Sequence, residues 1–177
     1  MVQEIYQRAM KYAGEKHHAQ MVPGSKANYL LHISNVAMEV LLAYGYDSSF
    51  DLTFAIQVAI LHDTLEDTEA TYKELKQNFG VEIANGVLAL TKDESIAQND
   101  RMNDSLNRIN KERDEVGIVK LSDRITNLQM PPSYWTKEKI RSYLNDSIDI
   151  STRLAGKNRY LNNRLLRKIE EYHKLYC

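Results

Sequence analysis

Residues 61–68 read LHDTLEDT, a stretch that carries one imidazole and three carboxylates. His62 and Asp63 are adjacent, and the residues leading to them, Val58 to Leu61, are apolar. Burying an imidazole and a carboxylate together requires partners, and a divalent cation satisfies both at once. On an uninterrupted helix His62 faces Glu66 and Asp63 faces Asp67, so all four crowd one end of one face. Carboxylates that close repel one another unless a cation or a shared proton compensates. The competing structural reading is a solvated acidic helix end. Two residues elsewhere favour chemistry: His32, on an amphipathic segment, and Asp123, inside the apolar-flanked VKLSDRITNL. Two histidines and two carboxylates form a nitrogen and oxygen donor set suited to manganese, iron, zinc or another divalent ion. His32 alone would be read as an ordinary partly buried histidine, so its assignment rests on the ensemble.

Such a set must be held by rigid elements, and the apolar residues recur at the three- and four-residue intervals of amphipathic helices. Ile5, Ala9, Tyr12 and Ala13 share one face, as do Leu30, Ile33, Val36, Ala37, Val40 and Leu41. A third helix starts near Asp51, with Asp51 or Ser48 as its cap, and passes through Phe54, Val58 and Leu61. Thr71 and Glu74 have capping-box spacing for a fourth, which stops before Gly80, and Val81 to Thr91 gives a fifth. Residues 93–104 are polar and without period, a loop or frayed helix start. Leu106 to Ile109 leads toward a helix through IVKLSDRITNL that Pro131-Pro132 ends. Lys139 to Leu154 and Asn158 to Tyr176 supply two more. No segment reads convincingly as a strand, so the expected fold is an all-α helical bundle.

The bulk properties bound the function classes. A chain of 177 residues, 43% hydrophobic and 27% charged, is expected to form a single globular domain over 1–177, with no length for a second catalytic domain. A formal net charge of -1 argues against a nucleic-acid surface or a basic membrane-binding face. The one cysteine, Cys177, precludes an internal disulfide framework, and no stretch approaches the ~20 apolar residues of a membrane span. The expectation is a cytoplasmic protein with no membrane partner.

His32, the His62-Asp63 pair and Asp123, in this order, match the H…HD…D signature, and the chain resembles the HD-domain metal-dependent phosphohydrolases. The resemblance is closest to the hydrolase domain of RelA/SpoT proteins and to the small alarmone hydrolases, including the metazoan SpoT homologue. The tracts that carry it are YLLHISNVA from Tyr29, ILHDTLEDT from Ile60 and KLSDRITNL from Lys120. Phe79-Gly80, the LTK at 90–92, Trp135, Tyr143 and the LAGKN at 154–158 extend it over nearly the whole chain.

That resemblance implies an HD-domain bundle whose His32, His62, Asp63 and Asp123 ligate a divalent metal, manganese in particular. It implies that Glu66 and Asp67 position and activate the attacking water, and that Asn127 helps hold a small-molecule nucleotide near the scissile phosphate. The implied reaction is removal of the 3′-pyrophosphate of guanosine tetra- or pentaphosphate. The family also has an arginine–lysine pair before the first ligand; an ungapped comparison puts Pro23 and Gly24 there, followed by a matching Ser25 at the base, with Lys26 the nearby cation. Ile33 stands where the family has proline. These departures leave open an adenine alarmone, the 2′-phosphate of NADPH or a nucleoside monophosphate as substrate, and a nucleotide sensor without catalysis as a further reading. His18 falls at a first-helix histidine of the family and is expected to be structural or near the substrate. Arg124 is expected to touch phosphate, tether Glu66 or form an ion pair; packing is the expected role of Trp135 and Tyr143.

Overall fold

The apolar periodicity resolves into ten helices in a computed structural model that describes residues 1–177: α1 Val2–Lys16, α2 Leu30–Tyr46, α3 Leu52–Leu61, α4 Thr64–Asp67, α5 Tyr72–Phe79, α6 Val81–Leu90, α7 Arg101–Ile109, α8 Asp114–Asn127, α9 Lys137–Arg153 and α10 Arg159–Tyr176. The only bridge pairing is an isolated antiparallel one, Met21 with Asn28. The all-α expectation holds.

At the centre is α3, apolar except along the strip of Thr53 and Gln57, with Phe54, Ala55, Ile56, Val58, Ala59, Ile60 and Leu61 all buried. Around it pack α1, α2, α6 and α8. Ala9 and Ala13 on α1 lack bulk, which lets that helix lie close to α3. Gly86 does the same for α6: a Cβ there would stand 3.2 Å from Phe54 Cζ and Val58 Cγ2 and 3.3 Å from Val116 Cγ2. Eleven of the fourteen residues of α8 are buried, which forces Asp123 and Arg124 into the interior. On the outside α9 and α10 pair, and Arg164 of α10 grips Glu39 of α2 through Nε and Nη2 at 2.6–2.9 Å.

Local chemistry sets the helix ends. The α3 cap is Asp51 rather than Ser48, its carboxylate accepting from Phe54 N at 3.0 Å. Thr71 and Glu74 form the reciprocal capping box on α5. Gly80, at φ 91, turns the chain between α5 and α6 in a region that disfavours a side chain. Two expectations need correction, the place of Leu41 and the stop at the proline pair, and a third reading is decided. Leu41 is 38% exposed, on the outer side of α2 with Met38 and Leu42. The stretch 93–104 is a loop that leads into a helix start, as read, with α7 beginning at Arg101. And α8 stops at Asn127, before the Pro131-Pro132 pair; the prolines fix the path after the helix rather than break it.

Candidate metal centre

The apolar run of α3 ends at Leu61, and helical geometry breaks immediately afterwards. Asp63 has φ -100 and ψ 0, and α4 is a separate single turn. Thr64 Oγ1 donates to the Leu61 carbonyl at 2.7 Å, satisfying a group that the break would orphan. The acidic pair therefore does not continue the face of His62 and Asp63, as an unbroken helix would require. His62 and Asp63 turn inward, while Glu66 and Asp67 stand at the solvent edge of the same corner.

Four side chains from three places meet there: His32 from the first turn of α2, His62 and Asp63 from the α3–α4 break, and Asp123 from α8. His32 Nε2 lies 3.2 Å from His62 Nε2 and 3.5 Å from Asp123 Oδ1. His62 Nε2 is 3.8 Å from Asp123 Oδ1 and 2.9 Å from Asp63 Oδ2, which is itself 3.7 Å from His32 Nε2. One donor atom from each of His32, His62 and Asp123 falls within a 4.8 Å span, and all three residues are buried. Atoms bound at ~2.0–2.2 Å to one ion sit no more than ~4.4 Å apart, so the donor set fits a divalent metal.

Surrounding groups orient this set as an outer shell orients metal ligands. His62 Nδ1 points at the Ala59 carbonyl, 2.8 Å away, which leaves Nε2 facing the cluster. Tyr29 donates its hydroxyl to Asp63 Oδ2 at 2.5 Å. Asp123 accepts from Lys120 Nζ at 3.0 Å and from Asn127 Nδ2 at 2.5 Å. Asn127 thus shares the face of Asp123 one turn on, as its spacing requires, but its amide N–H is committed to the carboxylate. Without a metal the charges lean on one another. Burial opposes a charged His62, yet Asp63 and Asp123 outweigh it and raise the imidazole to about 9. Burial opposes ionised Asp63 too, but the His62 charge holds its carboxyl well below the usual range. For Asp123 burial is outweighed first by Lys120 and then by the histidines, with the same downward result.

The acidic pair divides. Glu66 is held by Lys92, whose Nζ lies 2.5 Å from Oε1 and whose backbone N–H donates to Oε2 at 3.0 Å. Asp67 has no cation: the Gln20 amide donates to its Oδ2 at 2.8 Å. Desolvation and then the Asp63 charge push the Asp67 carboxyl up.

Two cavities open at this corner, one bounded by His32 and the other by Glu66. The smaller, about 360 Å³, is lined by His32, Asn127, Pro23, Gly24, Ser25 and the aromatic rings of Trp135 and Tyr143. Those rings meet edge to face, 5.1 Å between centroids, so packing and cavity lining coincide in them. The larger, about 690 Å³, is polar and holds the cations Lys92, Arg101 and Lys139 beside Glu66, Glu94 and Asp146. Lys26 is exposed and lines neither cavity. Arg124 neither tethers Glu66 nor reaches a cavity: its guanidinium is buried 4.1 Å from the Tyr143 ring, with Nη1 near Tyr143 O and Ser147 Oγ. His18 is exposed, whereas His17 is 1% exposed and contacts the site. Its burial continues the i, i+4 series Ala9, Ala13, the one signal that distinguished the two histidines. Lys92, Gln20 and Tyr29 take part through contacts that sequence spacing does not reveal, whereas Lys120 lies one helical turn before Asp123, a spacing that could have found it.

An all-α bundle that brings two histidines and two aspartates together around such a corner defines a metal-dependent HD fold. The HD domain family matches residues 9–159, and the chain belongs to that family. Among relatives, the guanosine-3′,5′-bis(diphosphate) 3′-pyrophosphohydrolase MESH1 of Xenopus tropicalis is 27% identical over 89% of this chain and 88% of its own. An Aquifex aeolicus protein named for the same activity is 33% identical over 86% of this chain, which spans 21% of that longer protein. The solved structure of a metazoan SpoT orthologue, described as hydrolysing ppGpp, has the same fold: TM-score 0.82, with 94% of each chain covered at 23% identity. Family and donor set together indicate a divalent metal. No helix is long and apolar enough to cross a membrane.

Proposed function

We propose that residues 1–177 act as one cytoplasmic phosphohydrolase domain that removes the 3′-pyrophosphate of guanosine tetra- or pentaphosphate, releasing GDP or GTP and pyrophosphate. The observation that carries this is that His32 of the metal cluster lines an aromatic cavity while Glu66, at the edge of the same corner, lines a cationic one. A purine fits against flat apolar surfaces such as the Trp135 and Tyr143 rings, and phosphates fit the side that offers Lys92, Arg101 and Lys139. The full-length similarity to the Xenopus hydrolase supports the same substrate.

His32, His62, Asp63 and Asp123 would hold the ion; mixed imidazole and carboxylate donors suit manganese, iron or zinc, and manganese is the one that the family resemblance implies. Bound there, such an ion would lower the pKa of the attacking water and neutralise phosphate charge. We assign the proton-accepting role to Asp67. Glu66 is already paired with a lysine cation, whereas Asp67 is touched by a neutral amide and its carboxyl is raised toward a working base. Glu66 orients Lys92 toward the phosphate side. Ser25 and Asn127 line the nucleoside cavity, where the free Asn127 carbonyl oxygen remains an acceptor.

A second reading, a related nucleotide phosphohydrolase, gains from one observation: the base end carries Pro23, Gly24 and Ser25 with no cation among the lining residues. A missing cation–π contact costs ~0.5–2 kcal/mol, enough to relax base choice roughly two- to thirtyfold. The deciding experiment compares kcat/KM with manganese for guanosine and adenosine 3′-pyrophosphates and NADPH, with product analysis locating the cleaved bond. Turnover of guanosine tetraphosphate to GDP and pyrophosphate, with weak preference over the adenosine analogue, is expected. Turnover of NADPH or nucleoside monophosphates alone would replace the alarmone reading with the second one.

A further inference from the structure

The segment joining α1 to α2 is more ordered than a linker needs to be. Val22 N donates to the Ala27 carbonyl at 2.9 Å and Tyr29 N to the Gln20 carbonyl at 2.9 Å. Asn28 sends its amide to the carbonyls of His17 and His18, at 3.4 and 3.2 Å. These bonds close a clasp whose two ends both reach the metal corner. At one end Tyr29 donates to Asp63; at the other Gln20 donates to Asp67.

The Gln20 contact has a determined direction. A carboxylate only accepts, so the Gln20 NH₂ must face Asp67 and its carbonyl oxygen must face the other way. That oxygen lies 2.5 Å from His17 Nδ1, which therefore carries the ring proton. Burial depresses the His17 pKa, keeping the imidazole neutral with a single N–H, and Nε2 is left buried without a partner. His17 is packed against Tyr29, ring centroids 5.1 Å apart, so it cannot turn to present its other nitrogen without disturbing the clasp. The hydrogen bonds run one way, His17 to Gln20 to Asp67.

We propose that Gln20 is a positioning residue for the reaction: held by His17, it fixes one oxygen of Asp67 and turns the other toward the water that Asp67 deprotonates. Gln20 lines neither cavity and so touches no substrate. The inference rests on the assignment of Asp67 as base, and the test separates the two.

The measurements are kcat, KM and bound manganese for Gln20→Met, Gln20→Glu, Asp67→Asn and the Gln20→Met/Asp67→Asn double variant, with guanosine tetraphosphate. Methionine keeps the length and removes both hydrogen bonds. Glutamate keeps the shape and the acceptor for His17 but replaces the donor to Asp67 with a second negative charge. Loss of a hydrogen bond to a charged group should lower kcat of Gln20→Met roughly ten- to a hundredfold, with KM and metal content unchanged. Gln20→Glu should fall at least as far. On top of Asp67→Asn the methionine change should cost less than about threefold, because residues acting as a unit are not additive. Wild-type kcat in Gln20→Met beside a crippled Asp67→Asn overturns the inference and spares the base. An equal loss in both backgrounds, or a loss carried in KM or metal content, overturns it as well. Wild-type kcat in Asp67→Asn removes the base assignment and the inference together.

Discussion

Binding of a metal to this cluster should release a proton, and the size of the effect follows from His62. Its Nδ1 is occupied by the Ala59 carbonyl, so the nitrogen that titrates is Nε2, the atom that faces the other donors. In the metal-free protein Asp63 and Asp123 hold that imidazole protonated up to about 9. A metal must displace this proton, whereas the two aspartates are already ionised. Apparent affinity should therefore rise about tenfold for each pH unit below about 9, or roughly hundredfold between about pH 6 and 8, equivalent to ~2.7 kcal/mol. Calorimetric titration of metal-free protein with manganese, in buffers of different ionisation enthalpy, reads the proton count from the slope of heat against buffer enthalpy. About one proton released per ion is expected, and His62→Ala should abolish both binding and release. Affinity that stays constant across this range, with no buffer-dependent heat, would refute the account of how the four side chains share charge.

The same shift has a consequence for stability. Because the folded-state value is above the ordinary 6.5, His62 stabilises the metal-free protein fully below about pH 6.5, and that contribution is lost as pH rises through about 9; Tm of metal-free protein measured across this window should fall. Gly86→Val should destabilise by ~1–3 kcal/mol in denaturant titration, since its side chain enters space held by Phe54, Val58 and Val116. Arg164→Leu should cost ~1–3 kcal/mol by the same assay, less than breaking a fully buried pair, because Glu39 stays buried but Arg164 is 35% exposed. Metal content should be unaffected in both variants.

What could be read from the sequence was what is local or strongly patterned. The Thr71–Glu74 box needs only a three-residue spacing, and the apolar run of α3 needs only its composition. The histidines and aspartates of the cluster are legible because buried imidazoles and carboxylates of mixed type have few stable arrangements. The division of Glu66 from Asp67 was not legible. It depends on Lys92, 26 positions away, and Gln20, 47 positions away, and on a helix break at Asp63 with no proline or glycine to announce it. That break reflects tertiary demand rather than propensity: a continuous helix would carry Asp63 away from His62 Nε2. Arg124 was misread for a related reason. An arginine beside an aspartate suggests charge pairing, but the register of α8 turns it outward from the cluster, against the Tyr143 ring.

Trp135 is the only tryptophan in the chain, and it stands in the wall of the aromatic cavity. Lys139, a residue of the cationic cavity, lies with its ammonium 5.6 Å from the indole centroid. The protein thus carries an optical reporter at the junction of the two chambers. A purine that stacks there should quench indole emission, while an anion that draws Lys139 away alters the field at the same ring. Occupancy can be followed in real time without turnover, and a nucleoside and inorganic pyrophosphate, added separately, should leave spectrally different signatures.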